Sequence, residues 1–149
     1  LELGADRSGL ELQIDLDSTA GALQNTIEAV NDWSPIVRID GADLPLSAVP
    51  LMRLHEVYVH QLDLKCGFTP DAVDPAAAAW LLRWTLFRLR EARLPRIELT
   101  TDTVSDVIGD GEERLTVRGP DARVWGWLTG RVDPGIIEGT SGVRLPLLG

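Results

Sequence analysis

The residues best placed for chemistry are Glu56, His60 and Asp63, in the stretch Met52-Arg-Leu-His-Glu-Val-Tyr-Val-His-Gln-Leu-Asp-Leu64. Their steps of four and three stack them on one face of a helix. On a wheel of about 100° per residue with Glu56 at zero, His60 falls near +40° and Asp63 near −20°. Met52 and Val59 flank them on one side, Val57 and Leu64 on the other, and Leu51, Leu54, Tyr58 and Leu62 lie opposite. That surround predicts a largely buried helix. Buried carboxylates and imidazoles need partners, and a divalent metal is a good one. A Glu and a His four apart can aim an oxygen and a nitrogen at one ion, a donor set that suits zinc or a similar first-row metal. A complete site needs a third ligand, for which Asp63 and His55 are the nearby candidates. Asp63 has the right direction, as a ligand or as the group that orients His60. His55 points about 100° away. The plainer alternative is an i,i+4 pair with Asp63 at the helix end. Cys66 is a thiol nucleophile or soft ligand on one reading and an ordinary buried cysteine on the simpler one, since only Lys65 is near enough to favour its thiolate.

The elements around this helix follow from pattern. Between Gly4 and Asp17, the alternation of Leu10, Leu12, Ile14 and Leu16 with polar residues predicts a strand. Asp17, Ser18 or Thr19 then caps a helix with the stripe Leu23, Ile27 and Val30, which Asn31-Asp-Trp-Ser-Pro35 ends. Ile36 to Ile39, the Asp40-Gly41 turn and the run to Pro50 form an extended connection that suits a short hairpin. After a loop, Asp74-Pro75 opens a long helix to about Arg93, closed by Pro95. Its Trp80, Trp84 and Phe87 stripe reads as core, and Arg83 and Arg90 share a polar strip. Beyond Pro95, Ile97 to Thr101, Val104 to Ile108 and Leu115 to Val117 read as short strands, with a compact helix from Asp121 to Leu128. The tail, Ile136 to Leu148, carries extended apolar pieces suited to rejoin the sheet. The change of texture places one domain at 1–94 and a second at 95–149.

Bulk properties exclude several functions. A net charge of −9 argues against nucleic-acid binding. The apolar run from Ala76 to Leu89 is broken by Arg83 and Arg88, so no membrane span is expected. A single cysteine rules out an internal disulfide and fits a reducing, cytoplasmic setting. No signal peptide is expected from the residues at hand, and no nucleophile elbow, P-loop or Rossmann fingerprint occurs among them. The opening Leu1 suits a processed, trimmed or partial polypeptide.

Leu54-His-Glu-Val-Tyr-Val-His-Gln-Leu-Asp-Leu64, followed by Gly67-Phe-Thr-Pro70, resembles the signature of the mycothiol-dependent maleylpyruvate isomerase family, whose metal-binding domain is a DinB-like four-helix bundle. The resemblance runs back through Val49-Pro50 and Asp40-Gly41 to about Ser18. It runs forward through Val117-Arg-Gly-Pro120, Trp125-Gly-Trp-Leu-Thr-Gly-Arg131 and Leu145-Pro146, which resemble the family's small sterol-carrier-like carboxy-terminal domain. It implies an α+β chain: a partial DinB-like helical bundle followed by a small α/β domain. It further implies a divalent metal, normally zinc, on Glu56 and His60 plus a histidine from an earlier helix. Mycothiol would be the thiol cosubstrate, adding to the cis double bond of maleylpyruvate and leaving after rotation. Arg131, with Arg144 behind it, would hold the dicarboxylate substrate. Residues 1–50 contain no histidine and match no earlier helices, so the chain reads as the second half of the bundle plus the small domain. A partner chain or a second copy is therefore expected to cover the half-bundle face. The expected function is metal-dependent isomerisation or related mycothiol transfer. The alternative is a non-catalytic binding or assembly subunit with an incomplete metal site.

Overall fold

The computed structural model describes residues 6–39, 41–140 and 142–145. It is an α+β chain of two compact units, Leu1–Arg53 and Leu54–Gly149. Compactness therefore divides the chain well before the change of texture near residue 95. Residues 54–94 go with the strands because the helix at Pro75–Arg88 packs on the helix at Asp121–Leu128.

The first unit opens with α1, Gly9–Glu28. The Ser8 hydroxyl accepts from the Glu11 N–H at 3.3 Å, and the Glu11 carboxylate accepts from the Ser8 N–H at 2.7 Å. This capping box starts the helix well before Asp17. The strand expected over Leu10 to Leu16 is thus helical. Leu, Glu and Gln are good helix formers, and Ile14 is the one β-branched residue of the run. The unit has no buried residue among those described, and Leu10, Ile14 and Leu16 stand more than half exposed, at 66%, 59% and 64%. β1, Ile36–Ile39, and β2, Ala42–Pro45, form the expected antiparallel hairpin with Ile39 opposite Ala42. Gly41 turns it at φ 83°, and Asp40 lies outside the described residues.

α2, Ala48–Leu64, crosses the division between the units and carries the candidate residues. In the second unit a 3-10 turn at Pro70–Ala72 leads to α3, Pro75–Arg88. Asp74 caps α3 by accepting from the N–H groups of Ala76 and Ala77 at 2.9 and 3.2 Å. The helix closes at Leu89, a turn short of Arg93. β3, Arg96–Thr100, lies between antiparallel β4, Ser105–Ile108, and parallel β5, Arg114–Arg118. α4, Asp121–Leu128, follows β5 as expected. The core joins Ile97, Leu99, Leu115 and Val117 of the sheet to Leu81 and Leu82 of α3 and Val124, Trp125 and Leu128 of α4. The tail does return to the sheet: the Arg118 N–H donates to the Glu138 carbonyl at 3.1 Å. Gly139 follows at φ 85°, where a Cβ would strike the Thr116 carbonyl, so only glycine fits. Residues 146–148 of the expected tail lie outside the described residues. Among those described, no helix is long and apolar enough to cross a membrane.

The aromatic stripe of α3 lies outside the fully buried core: Trp80 and Trp84 are partly buried, Trp80 packing against the core, and Phe87 is exposed. The buried line is Ala78, Leu81, Leu82, Thr85, Leu86 and Leu89, whereas Trp80, Trp84 and Phe87 lie on the opposite side and stack on one another at 5.7 and 5.5 Å.

Candidate active site

α2 buries only His55 and Val59 in its length. That line lies about a quarter turn round the helix from the Glu56, His60 and Asp63 face, which stays accessible. Side-chain exposure is 37% for Glu56, 67% for His60 and 40% for Asp63, so the expectation of a largely buried helix is corrected.

The three polar residues do converge. Glu56 Oε2 stands 3.8 Å from His60 Nε2, and His60 Nδ1 stands 3.5 Å from Asp63 Oδ2. His55 joins them, against the angle read from the wheel: its Nδ1 approaches Glu56 Oε1 at 3.5 Å without a hydrogen bond. Adjacent side chains of this length reach one another even when their Cβ directions diverge. His55 Nε2 lies 3.4 Å from the Thr85 hydroxyl, and its ring meets Trp125 edge-on at 6.1 Å. Burial pulls the His55 pKa below its ordinary value, and the Glu56 carboxylate opposes that pull.

Asp63 has a second partner that lies far off in sequence. The Arg131 guanidinium donates to both its oxygens, Nε to Oδ1 at 2.9 Å and Nη2 to Oδ2 at 3.0 Å. Arg131 Nη1 also donates to the Thr129 carbonyl at 2.9 Å, and the side chain is only 8% exposed. The Arg131 hydrogen bond holds the Asp63 carboxyl below the usual carboxylate range against the opposing effect of burial, with smaller help from the Arg131 charge and from His60. α4 and its closing turn hold Arg131 in place: the Arg131 N–H donates to the Gly126 carbonyl at 3.0 Å. Arg144 is exposed and paired with Asp133 at 3.3 Å.

Arg131, Lys65 and Arg123 line a cavity of about 510 Å³ with apolar walls that include Leu62, Phe68 and Ile136. Arg123 is tied to Asp71 by two bonds of 2.7 and 2.9 Å. Lys65, at φ 53°, is in the left-handed conformation and shares the turn after α2 with Gly67 at φ 85°. Cys66 sits in this turn and is exposed, which corrects its expected burial. Motif reading missed Arg123 and Asp71 in the cavity lining and gave Lys65 a role only toward Cys66.

For metal binding, the donors of one ion with bonds near 2.0–2.2 Å stand roughly 3.0–3.5 Å apart. The Glu56 and His60 atoms are close to that spacing on accessible side chains, and so fit two corners of a site. Asp63 has both oxygens engaged by Arg131. Among the described residues no group of three His, Cys, Asp or Glu side chains is placed to hold an ion.

The fold and site define an α+β chain in which a carboxylate–imidazole helix is linked by Asp63 to an arginine beside a small cavity. No family model and no curated protein matches this chain. Solved structures do. The crystal structure of the mycothiol-dependent maleylpyruvate isomerase matches with a TM-score of 0.72 at 19% identity, over 87% of this chain and 57% of that one. A histidine-to-alanine mutant of that enzyme matches with the same TM-score and coverage at 18% identity. The resemblance carried by the α2 motif is thus matched in fold, and the chain spans little more than half the length of these structures.

Proposed function

We propose that this chain carries part of a metal–thiol site of the mycothiol-dependent isomerase or transferase type, with Glu56 and His60 as two metal ligands. The observation that carries the reading is their 3.8 Å approach on one accessible helix face, linked through Asp63 to a nearly buried Arg131 at the cavity wall. Zinc or a similar divalent ion held there would supply the charge that lowers a thiol pKa and holds the thiolate. Asp63 orients His60 through Nδ1 and holds the Arg131 fork in place. Lys65 and the Arg131 fork held by Asp63 are the cations a dicarboxylate such as maleylpyruvate would meet, set against the lining acids Asp71 and Asp133, while Leu62 and Phe68 shield its carbon skeleton from water. A third metal donor and cover for the exposed leucines of α1 come from a partner chain or a second copy. A reducing, cytoplasmic setting suits the exposed, unpaired thiol of Cys66.

The test is zinc content beside Glu56→Ala and His60→Ala, followed by maleylpyruvate isomerisation with mycothiol. About one zinc per chain, lost in both variants, supports the site. Zinc-supplemented protein with no metal above background would overturn it. The second reading, a non-catalytic binding or assembly subunit, is favoured by the lack of a third donor among the described residues and by the exposed apolar side chains of α1.

A further inference from the structure

A second concave site lies between α3 and the edge strand β4, a groove of about 710 Å³. Its apolar lining includes Leu86 and Ile108, which are buried, and Phe87 and Val107, which are 36% and 44% exposed. Arg83 and Arg90 line it as well. They stand about 10 Å apart along α3 and its closing turn, on nearly the same face.

Both arginines are exposed on that face. Arg7, Arg38, Arg96, Arg123, Arg131 and Arg144 each have a carboxylate partner. Arg83 instead donates to the Thr103 carbonyl at a long 3.4 Å, and the Arg90 guanidinium lies over the Phe87 ring at 4.9 Å. Among the described residues neither guanidinium has a carboxylate partner, in a chain with 23 acidic and 14 basic residues, so both charges face the groove unneutralised. The acid among the lining residues, Asp106, accepts the Val107 N–H of β4 at 2.8 Å. It thereby blunts the strand edge against an added peptide strand. A small molecule fits the groove better than an extended chain.

We propose that this groove binds an elongated organic dianion, an apolar body with an acidic group at each end, one end held by Arg83 and the other by Arg90. Stacking on Phe87 places the Arg90 guanidinium before the ligand arrives, and the accessible sides of Phe87 and Val107, backed by Leu86 and Ile108, take the apolar body. This site is separate from the α2 face and stands whether or not that face binds metal.

The probe is decanedioate, titrated against the full chain and followed by tryptophan fluorescence, to which Trp84 contributes through its stacking on Phe87 at 5.5 Å. Saturable binding is expected, weakened at least tenfold in Arg83→Gln/Arg90→Gln. Decanoate, with one acid, binds several-fold more weakly. Butanedioate, too short to reach both arginines, binds more weakly still. Ser105→Asp adds a negative charge to an exposed lining position and weakens binding too, which keeps the test decisive if the double variant misfolds. No saturable binding of decanedioate would overturn the proposal. So would equal affinity in the arginine and Ser105 variants, or butanedioate binding as tightly as decanedioate.

Discussion

The Asp63–Arg131 pair gives a quantitative test of how α2 is joined to the segment after α4. A fully exposed ion pair is worth about 0.2–1 kcal/mol. A buried hydrogen bond to a charged group is worth about 1.5–3 kcal/mol. Here two parallel bonds of 2.9 and 3.0 Å join a side chain 8% exposed to one 40% exposed. Solvent reaches one end of the pair, so the coupling falls between those limits, at about 1–2 kcal/mol. The assay is a double-mutant cycle of Asp63→Ala and Arg131→Met by urea unfolding, with the buried Trp125 and Trp127 among the reporters. Arg131→Met alone costs more than the coupling, because the Thr129 carbonyl also loses its 2.9 Å donor. Arg131→Lys recovers less than half of the coupling, since an ammonium cannot form both parallel bonds. A coupling below about 0.3 kcal/mol, the usual scatter of additive changes, would refute the geometry on which the linked site rests.

Two other ties support the same unit. Asp121, 4% exposed, accepts from the Thr101 hydroxyl, from the Thr103 hydroxyl at 2.8 Å and from the Thr103 N–H at 3.2 Å, so Asp121→Ala is expected to cost about 2–3 kcal/mol in urea unfolding. A loss under about 0.5 kcal/mol would mean that water replaces those bonds. The hydrogen bond from Arg123 holds the Asp71 carboxyl below its ordinary range, so the pair stabilises the fold above the unfolded carboxyl pKa and loses that contribution as pH falls through the lower, folded one. The stability gap between wild type and Arg123→Gln should hold above about pH 5 and close below about pH 4. A gap that persists undiminished at lower pH would contradict the pairing.

What could be read from the sequence depended on whether the relevant neighbours lie close along the chain. The strands after Pro95 were legible because one face is buried and one is wet, which writes a period of two into Ile97, Leu99, Leu115 and Val117. The same period misled at Leu10 to Leu16, where no burial enforces it and the Ser8–Glu11 capping box sets the helix instead. Convergence of Glu56, His60 and Asp63 followed from helical spacing, but the partner of Asp63 could not, because Arg131 lies 68 residues on and meets it only through the fold. The α3 stripe shows the complementary error. Aromatic residues at helical spacing mark a shared face, yet whether that face is buried depends on what else the helix offers. Leu81, Leu82, Leu86 and Leu89 supply a second apolar line, and the sheet and α4 can cover only one side. Helix periodicity therefore located both the Glu56, His60 and Asp63 face and the stacked aromatic face, while only tertiary packing determined that neither would be fully buried.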